Sequence, residues 1–156
     1  MLQKRVIGAL LVLATTPILL AQARAENSVG VSATEIKVGS TFPFSGPASP
    51  LGSVGKALMA YVDFINDKGG VNGLKIKLLA LDDAYTPSKS VEQTRKLVES
   101  EEVAFVFSPL GTASNAANVK YLNGKKVPHL FVLSGAEKFT KPGDYPFTTT
   151  GLPSYR

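Results

Sequence analysis

The order of secondary-structure patterns constrains this chain more than any other feature of its sequence. From Glu35 onward, short apolar or alternating segments take turns with segments in which apolar residues recur at helical spacing. The predicted strands are 35–41, 74–81, 103–107 and 127–133, with a helix in each interval and an irregular chain from Ser134. Helical connections of this length join parallel strands. The sequence therefore predicts an α/β fold with three layers and a doubly wound parallel sheet.

The ends and faces of the helices are also predicted. The first helix should bury one apolar face, formed by Val54, Leu58, Tyr61, Val62 and Ile65. Gly69 and Gly70 end it in the manner of a left-handed cap. Thr86 and Pro87 are typical of an N-cap followed by proline at the first helical position. The third helix follows Gly111 and closes at Gly124.

The first 25 residues have the layout of a secretory signal peptide. A short basic start is followed by the uncharged run 6–20, and Ala21 to Ala25 contains two overlapping A-x-A cleavage motifs. A membrane anchor is the alternative, but the run is shorter than the ~20 residues that span a bilayer, and Pro17 interrupts it. We expect cleavage after Ala25, periplasmic localisation, and no stable membrane insertion.

Charge and cysteine content exclude several classes of function. The chain has 17 basic and 12 acidic residues, but three of the basic ones, Lys4, Arg5 and Arg24, lie in the predicted signal. The mature chain is thus nearly balanced, and nothing in it calls for a nucleic-acid partner. Because there is no cysteine, thiol catalysis, thiolate zinc sites and disulfides are excluded.

Motifs for catalysis are missing from the sequence. No phosphate-binding loop, dinucleotide fingerprint or nucleophile elbow is present. Asp82 and Asp83 could hold Mg²⁺ at a strand end, although the alternative is that they bond to backbone N–H groups of a turn. His129, the only histidine, is better explained as an ordinary strand residue than as a base or metal ligand. We therefore expect no enzyme activity, no cofactor and no metal.

Polar recognition is the chemistry that remains. Parallel sheets bind ligands beyond the carboxyl ends of their strands, where the segments 41–53, 108–112 and 133–137 fall. Gly111 and Thr112 open a helix, whose N-terminus presents N–H groups and partial positive charge to a carboxylate. Simple N-capping by Thr112 or Ser114 would also explain this turn. The segment 134–136 offers a second exposed backbone at the neighbouring strand end.

Eight segments of the chain carry a family resemblance: 44–47 (FSGP), 65–73 (INDKGGVNG), 82–87 (DDAYTP), 95–98 (RKLV), 110–112 (LGT), 126–128 (KVP), 134–136 (SGA) and 151–155 (GLPSY). In this order they resemble the N-terminal lobe of periplasmic solute-binding proteins of the branched-chain amino-acid (leucine/isoleucine/valine) type, periplasmic binding fold type I. They cover nearly all of the predicted mature chain. The runs INDKGGVNG and DDAYTP together are the specific part of this resemblance.

The resemblance implies a set of ligand-binding residues. In the family the carboxylate of the ligand meets the turn that is Leu110, Gly111 and Thr112 here, and its amino-acid head meets the turn of Ser134, Gly135 and Ala136. An aromatic residue often closes the pocket from the first loop, and Leu51 stands there in this chain.

A further implication of the resemblance concerns Tyr85 and Gly111. Some family members bear a disulfide between the positions that align with these two residues. A large ring here faces a missing side chain. We therefore expect Tyr85 to pack over Gly111 in place of that disulfide.

The implied function is capture of a solute outside the cytoplasm. The solute would be a branched-chain amino acid or a similar small carboxylate, aromatic acids included, and an inner-membrane ABC permease would receive it. The alternative is the ligand-sensing domain of a receptor or regulator with the same fold. Because the family has a second lobe, we expect residues 26–156 to form the N-terminal lobe, truncated near the crossover to the second.

Overall fold

The computed structural model describes residues 28–154, which form a parallel sheet of five strands in the order β2-β1-β3-β4-β5. The strands are β1 (Glu35–Phe42), β2 (Lys75–Asp82), β3 (Phe105–Phe107), β4 (His129–Val132) and β5 (Thr148–Thr150). The helices are α1 (Gly52–Asp67), α2 (Pro87–Arg95) and α3 (Thr112–Gly124). The predicted α/β fold with a doubly wound parallel sheet is confirmed. The predicted signal peptide and Tyr155 lie outside the described residues.

The fifth strand corrects the expectation that the chain is irregular beyond Ser134. Thr148–Thr150 pairs in parallel with β4, and the register is irregular between His129 and Val132. The N–H of His129 donates to Phe147 O at 2.7 Å, and the N–H of Gly151 donates to Val132 O at 2.9 Å. A strand of three residues is too short to show alternation, so only its pairing with β4 defines it.

The main apolar core lies between the sheet and the layer of α2 and α3. Its fully buried members are Leu97, Val103, Val106 and Leu122. Val103 belongs to this core but precedes β3, which is shorter than the predicted strand. Gly39 of β1 lets this layer approach closely, because a Cβ there would lie 3.0 Å from the Leu97 side chain.

On the opposite side of the sheet, α1 packs through part of its predicted face. Val62 is buried and Leu58 and Ile65 are partly buried, whereas Val54 is 42% exposed and Tyr61 is 60% exposed. Gly55 of α1 faces the sheet, and a Cβ at this position would lie 2.6 Å from the ring of Phe42. A glycine that allows close approach has no apolar side chain, so a pattern of apolar residues does not detect it.

A row of aromatic rings lies on the same side of the sheet as α1. Phe42 faces α1, Val38 points the same way four residues earlier, and Val38 is in register with Phe105. The rings of Phe105 and Phe107 are 6.4 Å apart, and those of Phe107 and Phe131 are 5.5 Å apart. Since α1 covers β1 and β2, the far end of this row is open, and Phe131 is 51% exposed.

His129 is an ordinary strand residue in position but is fully buried beneath α3. Its Nε2 lies 2.9 Å from Asn115 Oδ1, and Nδ1 is buried without a hydrogen-bond partner among the described residues. Burial lowers the pKa of His129 to about 4, and no charged group contributes to this shift. The imidazole is therefore neutral at pH 7.

We predict that residues 26–156 self-associate through the open aromatic row, because parallel sheets are normally covered on both sides. Replacing Phe131 by Asn removes the most exposed ring of this row, and Asn tolerates the φ of 54° found there. Sedimentation velocity should show less association for Phe131→Asn. Tyr61→Asn, which removes an exposed ring from α1, is the control, and an equal decrease for both variants would contradict the prediction.

We also predict that His129 makes the free energy of unfolding depend on pH between about pH 6.5 and pH 4. Because the folded-state pKa is near 4 and the ordinary value is 6.5, the unfolded chain takes up the proton first as the pH falls. The free energy of unfolding should then decrease by about 1.4 kcal/mol per pH unit, roughly 3 kcal/mol in all. Urea unfolding of the protein and of His129→Gln at several pH values should show this decrease in the difference between the two free energies of unfolding. Both proteins contain the same carboxyl groups, so the contributions of those groups cancel in the difference. Parallel curves above pH 4 would disprove it.

Candidate ligand-binding site

The two predicted turns are neighbours at the carboxyl edge of the sheet. Leu110 forms a parallel bridge with Leu133, and its N–H donates to Thr41 O at the end of β1 at 3.1 Å. The N–H of Gly111 donates to Leu133 O at 3.3 Å, and the N–H of Leu133 donates to Pro109 O at 3.0 Å. The pairing of the strands thus continues past β3 and β4 into both turns.

Two hydroxyl groups join the turns directly. Thr112 Oγ1 and Ser134 Oγ lie 2.7 Å apart, and Ser134 Oγ also accepts the N–H of Ala136 at 3.2 Å. Ser134 and Gly135 are buried, while Thr112 and Ala136 are partly exposed. Five of the seven residues named from the sequence, Leu110, Gly111, Thr112, Ser134 and Ala136, are therefore connected by backbone pairing or hydroxyl contacts.

The N-terminus of α3 is built at Gly111 without a side-chain cap. Gly111 is the N-cap residue and has φ 112° and ψ 132°, a conformation that favours glycine. Thr112 and Ser114 lie after the N-cap position, so neither is the N-cap residue that the capping explanation requires. The positive end of a helix of 13 residues thus lies beside the hydroxyl pair.

Tyr85 packs over Gly111, as expected. A Cβ at Gly111 would lie only 2.8 Å from Tyr85 Cε2, so a side chain there would displace the ring. Tyr85 and the preceding Ala84 both have positive φ, at 58° and 48°. Asp83 Oδ1 holds this strained turn by accepting the N–H of Tyr85 at 2.9 Å.

Asp82 and Asp83 both accept hydrogen bonds from backbone N–H groups. This is the alternative that the sequence offered to a metal site. Asp82 Oδ1 accepts the N–H groups of Phe44, Ser45 and Ala84 at 2.8 to 3.0 Å. Its Oδ2 accepts from Lys89 Nζ at 2.7 Å and from the Ser45 hydroxyl at 2.5 Å. Within residues 28–154, no three His, Cys, Asp or Glu side chains are grouped as a metal site requires.

The pKa values of the two carboxyl groups are shifted in opposite directions. For Asp82, burial acts to raise the pKa, but the hydrogen bonds from Lys89, Ser45 and Ala84 together hold it well below its usual value. For Asp83, burial dominates and raises the pKa, against the hydrogen bond from the Tyr85 backbone, and Oδ2 is buried without a hydrogen-bond partner among the described residues. Asp82 therefore remains charged and paired with Lys89.

Leu51 lies in the loop between β1 and α1. It ends the short helical turn Ser49–Leu51 that leads into α1, and it is 46% exposed. The loop that carries it is fixed to the end of β2 through Asp82, on the other side of β1 from the turns. The structure gives it no hydrogen bond to either turn.

Sequence analysis missed the contribution of Asn115. Its Nδ2 donates to Pro109 O at 3.0 Å and to Gly111 O at 2.7 Å, so one buried amide spans the turn. The only signal in the sequence is a poor helix former in the first turns of a predicted helix.

The two turns present uncharged hydrogen-bonding groups. Segments 109–115 and 133–136 contain no Lys, Arg, Asp or Glu, so their donors are backbone N–H groups, hydroxyls and the amide of Asn115. His129 is fully buried beneath α3 and cannot reach a bound molecule. A small anion such as a carboxylate could be held here by hydrogen bonds and the helix dipole.

Comparison with known proteins supports this interpretation. Residues 35–154 match the family described as "Periplasmic binding protein". The Leu/Ile/Val-binding protein homolog 7 of Brucella abortus (strain 2308) is 35% identical over 129 residues, which are 81% of this chain and 32% of that protein. The chain therefore spans about a third of the length of the curated relatives it matches.

Solved structures show the same fold. A solute-binding protein of an ABC transporter from R. palustris, in complex with benzoate, superposes with a TM-score of 0.66 at 28% identity, over 77% of this chain and 33% of that one. The branched-chain amino acid transporter substrate-binding protein LivJ from Streptococcus pneumoniae, in complex with isoleucine, gives 0.69 at 23% identity, over 78% and 34%. On the family match and the relative from Brucella, this chain belongs to the periplasmic binding protein family.

Proposed function

We propose that this protein captures a small carboxylate-bearing solute outside the cytoplasm and delivers it to an ABC permease in the inner membrane. The observation that carries the proposal is the hydroxyl pair of Thr112 and Ser134, set between two turns at the N-terminus of α3. The proposal includes export with cleavage after Ala25. It also makes residues 26–156 the N-terminal lobe of a two-lobed protein.

The carboxylate is the shared feature of the ligands named for the relatives. Isoleucine and benzoate, found in two of the similar structures, both carry one. We therefore assign the carboxylate to the turns of 110–112 and 134–136, with Leu51 closing the pocket from the first loop. A branched-chain amino acid is the favoured solute, because the curated relatives are named for leucine, isoleucine and valine.

No helix within 28–154 has the length and apolar content that a membrane crossing requires. Capture followed by release needs no chemical step, so the proposal includes no catalytic residue.

We predict that Thr112→Val weakens ligand binding by roughly tenfold or more, because a hydrogen bond to a charged group contributes about 1.5–3 kcal/mol. The measurement is calorimetric titration of the complete gene product with leucine, isoleucine, valine and benzoate. Thr34→Val is the matched control, since Thr34 precedes β1 and so lies at the opposite edge of the sheet. Unchanged affinity for Thr112→Val would place the carboxylate elsewhere.

We predict that residues 26–156 alone bind the same ligand at least ~100-fold more weakly than the complete gene product, a difference of about 2.7 kcal/mol. High-affinity sites enclose most of the ligand surface, and one lobe provides only one wall. The same titration, performed on both lengths of chain, measures the ratio. Equal affinity of a monomeric 26–156 chain would show that a second lobe is not needed.

A further inference from the structure

We propose that Asn115 and His129 form a buried positioning pair that sets the shape of the carboxylate-binding turn without touching the ligand. The inference rests on the proposed function, because it assigns a role toward the ligand that the turn of 110–112 would bind. Neither residue is among those identified as contacting a solute.

The amide of Asn115 connects both ends of the turn. One Nδ2 group donates to Pro109 O at 3.0 Å, just before the turn, and to Gly111 O at 2.7 Å, within it. The backbone N–H of Asn115 also donates to Gly111 O at 3.1 Å. These bonds occupy both carbonyl oxygens with donors from α3. Carbonyl groups held by these bonds do not turn toward a carboxylate bound at the edge of the sheet.

His129 fixes the orientation of this amide. Because both Nδ2 hydrogens are used by carbonyl groups, Asn115 Oδ1 faces His129 Nε2 and must accept a hydrogen bond from it. The imidazole is therefore the neutral tautomer with its hydrogen on Nε2. Asn115 is 2% exposed and His129 is fully buried, so water does not compete for these bonds.

The pair also connects three elements of the site. Pro109 follows β3, Asn115 lies in the first turns of α3, and His129 begins β4. Pro109 O accepts a second hydrogen bond, from the N–H of Leu133 at 3.0 Å, directly before Ser134. A change in the pair would thus shift the turn of 110–112 relative to the turn of 134–136, and with it the spacing of the ligand's hydrogen-bond donors.

Asn118 provides a matched control for Asn115. It lies on the same helix and is 3% exposed, and its Nδ2 donates to Ser90 Oγ and to Ser114 O, both at 3.0 Å. Replacing either Asn by Asp exchanges a buried amide for a carboxyl group of the same shape. The two variants should lose similar thermal stability, but only Asn115→Asp also disturbs the turn.

The test is calorimetric titration of the complete gene product with leucine, isoleucine, valine and benzoate, alongside thermal unfolding. We expect Asn115→Asp to bind at least about tenfold more weakly than Asn118→Asp at comparable thermal stability. Equal affinity of the two variants would overturn the positioning role. If the unsubstituted protein binds none of these probes, it is the proposed function that fails.

Two further measurements keep the proposal falsifiable if Asn115→Asp does not fold. The ¹⁵N chemical shifts of the His129 ring at pH 7 should show the hydrogen on Nε2, and a hydrogen on Nδ1 would overturn the proposal. His129→Gln retains a side-chain N–H donor, whereas His129→Met does not. We expect affinity to survive in the first and to fall about tenfold in the second, while equal affinities would exclude a role for the donor.

Discussion

The parallel pairing of β1, β3 and β4 is the constraint on which the candidate site depends. Because all three strands run in the same direction, their carboxyl ends meet at one edge, and the loops that follow them become neighbours. The bridge between Leu110 and Leu133 extends this pairing beyond the strands themselves. Residues 22 positions apart, Thr112 and Ser134, can therefore place their hydroxyls within hydrogen-bond distance.

Close packing around Gly111 depends on the same edge. A residue in this position needs positive φ to start α3, and it must leave room for the ring of Tyr85. Tyr85 in turn is held by Asp83, whose carboxyl group is fully buried. A larger residue at Gly111 would therefore disturb the start of α3 and the turn after β2 together.

Much of this architecture could be predicted from the sequence, because the alternation of strands and helices is a local pattern. The four predicted strands and the three predicted helices are all present in the structure. The features that the sequence did not predict depend on contacts between residues far apart in the chain. Thr148–Thr150 is a strand only because β4 lies beside it. Gly55 of α1 packs directly on the ring of Phe42, a contact that the pattern of apolar residues in the helix does not reveal.

The candidate site shows the same division. The turns at Gly111 and Ser134 follow from their position after predicted strands, and the packing of Tyr85 on Gly111 was expected only from the family resemblance. Neither the strand pattern nor the family resemblance predicted the role of Asn115. Its partners Pro109, Gly111 and His129 come from separate parts of the chain and meet only in the folded structure. A buried polar network can be recognised only when the fold that encloses it is known.

The absence of charged side chains from the two turns has a physical consequence for the proposed function. A lysine at this edge would attract any anion and would bind it in the open protein, whereas hydroxyl and backbone donors compete with water at every bond. Lys89, which comes from α2, is already paired with Asp82. Hydrogen bonds and a helix dipole become strong only where water is excluded. In the proposed function, exclusion of water by a second lobe would thus strengthen the carboxylate site, and reopening would weaken it. A site of this kind couples affinity to closure, and a protein that must release its solute to a permease requires that coupling.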